Sequence, residues 1–112
     1  MSEARLPTGL WVRAHVRQLS VAGTPVYITH RGPEEAGSVL VKVTVIGTGT
    51  TVYTQARDLT GRLGWLAAFD GRPVPETEAD TYIARAIDRD PDLWVVEIEG
   101  RDGRLPFEGP VL

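Results

Sequence analysis

Four cations in this 112-residue chain have the types and spacing to bind an anion. Arg13 and Arg17 stand four apart and share a face if their segment is helical. Arg31 and Lys42 flank the glycine-rich run Arg31-Gly32-Pro33-Glu34-Glu35-Ala36-Gly37-Ser38. Guanidinium and ammonium groups converging beside such a loop would hold a phosphate or carboxylate through charge-assisted hydrogen bonds. Pairing with Glu34, Glu35 or the acidic second half of the chain is the commoner fate of such groups, since structural ion pairs outnumber pockets.

The remaining candidates are weaker. His15 and His30 have no nucleophile or orienting group in a motif around them, and their spacing matches no metal-ligand signature, so packing or surface positions are preferred. Asp88, Asp90 and Asp92 have the D-x-D-x-D spacing of a calcium loop. Pro91 interrupts it, however, and the glycine and distal glutamate of such a loop are missing. Gly47-Thr48-Gly49 lacks the lysine and following helix of a phosphate loop and reads as a turn. Trp11, Trp65 and Trp94 are assigned to the core or an interface, because aromatic rings bury large areas.

The elements that must position these residues follow from periodicity. Val39 to Ile46 is the densest β-branched run, with Val39, Val41, Val43 and Val45 on one face and Leu40, Lys42, Thr44 and Ile46 on the other. The valine face must be buried, and the Lys42 ammonium must reach water or a carboxylate. Strands are also predicted over Pro25 to His30, Thr51 to Arg57, Leu63 to Phe69 and Leu93 to Glu99. Leu10 to Ala22 fits either period; Thr8 as a cap and Gly23 with Pro25 as a stop favour a helix. From Glu76 to Arg89, the positions Ala79, Tyr82, Ile83, Ala86 and Ile87 form one helical stripe, which Asp90-Pro91 ends. The order is αββββαβ. Short turns between the first four strands suggest an antiparallel meander, the first hairpin joining Pro25–His30 to the valine strand.

Composition narrows the function classes. The chain has the length of one ordinary domain, residues 1–112, with irregular tails expected at 1–6 and 105–112. The absence of cysteine excludes disulfides and thiolate metal sites and suits a reducing cytoplasm. A net charge of −3 argues against general nucleic-acid affinity. Residues 1–62 hold seven cations against four anions and the remainder five against eleven, an asymmetry the fold can neutralise internally. No apolar stretch approaches the ~20 residues of a membrane helix, and Met1 to Arg5 lead into no hydrophobic signal region.

Several segments together resemble a known family. They are Leu10-Trp11-Val12, Ala22-Gly23, Arg31-Gly32 with Ala36-Gly37-Ser38-Val39-Leu40-Val41-Lys42-Val43, Glu78 to Arg85, and Asp90-Pro91-Asp92-Leu93-Trp94-Val95-Val96-Glu97-Ile98-Glu99. In this order they look like the domain-of-unknown-function family 1491, small bacterial proteins of about this length. The resemblance covers nearly the whole chain, least well from Thr48 to Arg62. It implies a single bacterial domain and carries no substrate, cofactor or catalytic residue.

The sequence therefore predicts an α+β two-layer sandwich, with a mainly antiparallel sheet of about five strands and both helices on the valine face. One helix layer would leave the Leu40, Lys42 and Ile46 face open to a partner. The favoured function is a non-enzymatic, cytoplasmic interaction module that self-associates as a homodimer or meets another protein, without cofactor, metal, nucleic acid or membrane. The alternative is a small-anion or metabolite-binding domain using Lys42, Arg31, Arg17 and Arg13.

Overall fold

A computed structural model describes residues 6–102 and 104–112. The first expected tail lies outside the described residues except for Leu6. Helix α1 spans Thr8–Val21, followed by strands β1 Val26–His30, β2 Val39–Val45, β3 Gly49–Arg57 and β4 Leu63–Ala67. A turn at Ala68–Gly71 leads to helix α2 Glu76–Arg89 and strand β5 Trp94–Glu99. The predicted order αββββαβ and the helical reading of the first segment agree with this. Thr8 stands inside the helix rather than capping it; Pro7 precedes the first turn. The helix stops where glycine was expected to stop it. Gly23, at φ 86°, donates its N–H to Ser20 and lets the Thr24 N–H reach the Leu19 carbonyl, which satisfies the last orphan carbonyls.

Two features of the predicted architecture are corrected. The sheet is mixed, in the order β1-β5-β2-β3-β4, with β5 parallel to β2 and the other three pairings antiparallel. β1 therefore pairs with β5, and no hairpin joins it to the valine strand. The helices also take opposite faces, giving three layers instead of two. α1 packs with Val39, Val41, Val43, Trp94, Val96 and Ile98, whereas Ala79 and Ile83 of α2 pack with Leu40, Val52, Leu93 and Val95. The physical reason lies in β2 and β5. Leu40 and Val95 are as buried as the valines beside them, so both faces of these central strands need a cover.

The loop between β1 and β2 is drawn tightly onto β5. The Trp94 indole N–H is 3.0 Å from the Pro33 carbonyl and 3.3 Å from that of Ala36, and the Trp94 amide donates to Ser38. Gly32 makes this approach possible, because a Cβ there would stand 2.1 Å from the Asp92 carbonyl oxygen. At the other side of the sheet, the last residues run along β4. The Trp65 amide donates to Pro110 at 2.9 Å, the Leu112 amide donates back to Trp65 at 2.7 Å, and Phe107 is buried against Trp65 and Trp11.

Candidate functional site

Lys42 is the residue on which the predicted chemistry centred, and it is 3% exposed. The parallel register sets it beside Glu97 of β5, and α2 carries Glu76 and Asp80 one turn apart above it. Its Nζ donates to Asp80 Oδ1 at 2.7 Å, Glu76 Oε2 at 2.8 Å and Glu97 Oε1 at 3.1 Å. All three N–H donors of an ammonium have thus found carboxylates. Burial works against the charge, but the hydrogen bonds it donates to Asp80, Glu76 and Glu97 more than offset this, and the pKa rises well above the ordinary lysine value. A group so held stays protonated and serves as a positive pin between α2 and the sheet.

The four predicted binding cations do not converge. Arg13 and Arg17 are exposed on α1, across the sheet from Lys42. Arg13 forms a two-pronged pair with Glu34: its Nη1 is 2.8 Å from Oε2 and its Nη2 meets Oε1. The pair holds the Glu34 carboxyl below its usual range and raises the Arg13 guanidinium. Arg31 adds a weaker attraction to the same carboxylate. Ion pairing thus accounts for Lys42 and Arg13. The partners of Lys42 escaped sequence reasoning, although Glu76 and Asp80 stand i and i+4 beside the buried stripe and Glu97 breaks an apolar strand.

Both histidines are tied to backbone. His15 Nδ1 donates to the Trp11 carbonyl at 2.8 Å and its ring lies tilted against that of Trp11, centroids 4.0 Å apart; His30 Nδ1 donates to the Leu93 carbonyl at 2.6 Å. Among the described residues, every buried side-chain nitrogen and oxygen has a partner, and no group of histidines and carboxylates has metal-binding geometry. An open groove of about 1270 Å³ lies between the N-terminus of α1, the β1–β2 loop and the β3–β4 hairpin. Arg57 and Arg62 line it, together with Glu35 and Glu108, so its charges are mixed.

The two edges of the sheet differ. β4 is covered by Pro110 to Leu112, as described above. β1 has β5 on one side and, among the described residues, no hydrogen-bond partner on the other. Tyr27 at its centre is 58% exposed.

These features define a small three-layer α+β domain with a mixed sheet, whose principal charged residue serves its own packing. The family model described as protein of unknown function, DUF1491, matches residues 6–108, and the chain belongs to that family. A crystal structure of a DUF1491 family protein from Caulobacter crescentus CB15 is 36% identical, with a TM-score of 0.85 over 96% of this chain and 100% of that one. An NMR structure of a family protein from the same organism is 35% identical, with a TM-score of 0.83 over 98% and 99%. The solution structure of an A. tumefaciens protein is 25% identical, with a TM-score of 0.72 over 88% and 89%. No curated protein matches. Two of the segments that carry the resemblance meet in space, since the Arg31 to Ser38 loop packs on the Asp90 to Trp94 turn.

Proposed function

We propose that this domain is a non-enzymatic interaction module that self-associates. The face around Lys42 is covered by α2. The sheet edges are unequal, because Pro110 to Leu112 cover β4 while the outer side of β1 has no backbone partner among the described residues. An edge strand presents a row of backbone donors and acceptors that another strand can satisfy. Residues suited to acid–base work, Lys42, His15 and His30, are bonded to groups of the fold itself, which favours binding over catalysis. The anion-binding alternative is the weaker one, because Lys42 is occupied and stands across the sheet from Arg13 and Arg17.

Light scattering coupled to size exclusion, run from micromolar to near-millimolar protein, tests the proposal. The expected mass is twice the 12.2 kDa of one chain, approached as concentration rises. A mass of one chain throughout the range overturns it.

A further inference from the structure

We infer that the partner is a second copy of this chain, joined β1 to β1 in an antiparallel pair with Tyr27 facing Tyr27 across a two-fold axis. This rests on the self-association proposed above and gives it a surface and a register. The Pro25 carbonyl accepts the Glu99 amide at 3.0 Å. In an antiparallel ladder, residues alternate between turning both backbone groups toward the neighbour and turning both away. Pro25 and Tyr27 therefore face β5, and Val26 and Ile28 turn their N–H and C=O groups outward. The donor that Pro25 lacks falls on the β5 side, so the outer edge is uninterrupted there.

Three two-fold registers use these outward groups, and the structure disfavours two. An axis through Val26 would pair Ile28 with Thr24, whose N–H is already committed to Leu19 at 2.9 Å. An axis through Ile28 would engage His30, but the pairing steps from Ile28 opposite Val96 to His30 opposite Val95, so Thr29 is an extra residue that breaks the alternation. The axis through Tyr27 uses only Val26 and Ile28 of each copy, in two reciprocal hydrogen-bonded pairs. The strip that meets itself, Val26-Tyr27-Ile28, is neutral on a chain of net charge −3, so contact brings no like charges directly together. Exposed Tyr27 then gains an aromatic partner in the non-hydrogen-bonded position, where side chains approach most closely.

The chain has no cysteine, so single-cysteine variants report this register cleanly. Opposed residues in a non-hydrogen-bonded pair have Cα atoms about 4.5 Å apart, within disulfide range. On mild oxidation, Tyr27→Cys is expected to give a covalent dimer, while Thr29→Cys, equally on the surface but far from its own copy in this register, stays monomeric. Tyr27→Lys, which sets like charges across the axis, is expected to lower the light-scattering mass to one chain at a concentration where the parent is dimeric. Equal cross-linking of both cysteine variants, or a dimeric Tyr27→Lys, overturns the inference. A dimeric parent whose Tyr27→Cys variant does not cross-link overturns this surface and leaves self-association standing, whereas a monomeric parent overturns both.

Discussion

At the scale of single residues, Lys42 carries the clearest energetic consequence. It is the chain's one lysine, and replacing it removes a charge shared by three carboxylates. Lys42→Met should destabilise the domain by about 2 kcal/mol at neutral pH, between the values for an exposed and a fully buried pair, measured by urea unfolding. The pH dependence has a definite sign. Because the folded pKa is raised, the stabilisation is complete below the ordinary lysine value of 10.5 and is lost as pH rises through the folded value. The Tyr53 phenol, pushed up by burial, adds an alkaline loss to parent and variant alike. The difference between the two unfolding curves therefore isolates Lys42, and it should be flat from neutral pH to about 10 and shrink above it. Gly32 acts through shape instead of charge. Gly32→Ala drives a methyl into the Asp92 carbonyl and should cost about 2 to 3 kcal/mol in the same assay.

At the scale of elements, the turn from β4 to α2 is strained. Phe69 and Asp70 both have φ 55°, and Gly71 follows at φ 75°, so three successive residues take the left-handed conformation that glycine adopts most readily. The Phe69 ring lies 5.3 Å from that of Tyr82, which ties the turn to α2. The two strained residues should therefore respond with opposite signs. Asp70→Gly relieves backbone strain at an exposed position and should stabilise by up to about 1 kcal/mol. Phe69→Ala keeps the strain, loses the ring contact and should destabilise by about 1 to 3 kcal/mol in thermal melts. Lys42 also reports how firmly α2 is seated, because an amine-reactive label reaches its buried Nζ only when the helix lifts. The double variant Glu76→Gln, Asp80→Asn should raise the labelling rate at Lys42, read by mass spectrometry of the digested protein.

At the scale of the whole molecule, the C-terminal segment is part of the fold. Phe107 is buried, and the Trp65 indole donates to the Glu108 carbonyl at 2.8 Å. Removing residues 108–112 would uncover Trp65 and free a second sheet edge. The truncated chain should melt at lower temperature and scatter light on standing, since an open flat edge is a template for pairing. No helix of the described residues is long and apolar enough to cross a membrane, which agrees with the lack of any apolar run of that length.

The sequence by itself determined the elements. The helical stripe of α2, the alternation of β2 and the Gly23 stop are local, and local propensity and periodicity encode them. It also carried the family, through segments spread over most of the chain. What it did not reveal was which strands are neighbours. β1 is followed in sequence by β2 but lies beside β5, because the chain returning from α2 enters the slot between them. The continuous apolar runs at Val39 to Val41 and Leu93 to Val96 were a legible sign of central strands covered on both faces. Nor could spacing locate the site residues. Lys42, Glu76, Asp80 and Glu97 are separated by up to 55 positions and meet only once α2 crosses the sheet. Burial without a partner would be prohibitive for an ammonium, so the need for water or a carboxylate was readable from Lys42 alone. Their identity, and the open edge at β1, were decided by the tertiary structure, since each depends on how distant segments pair.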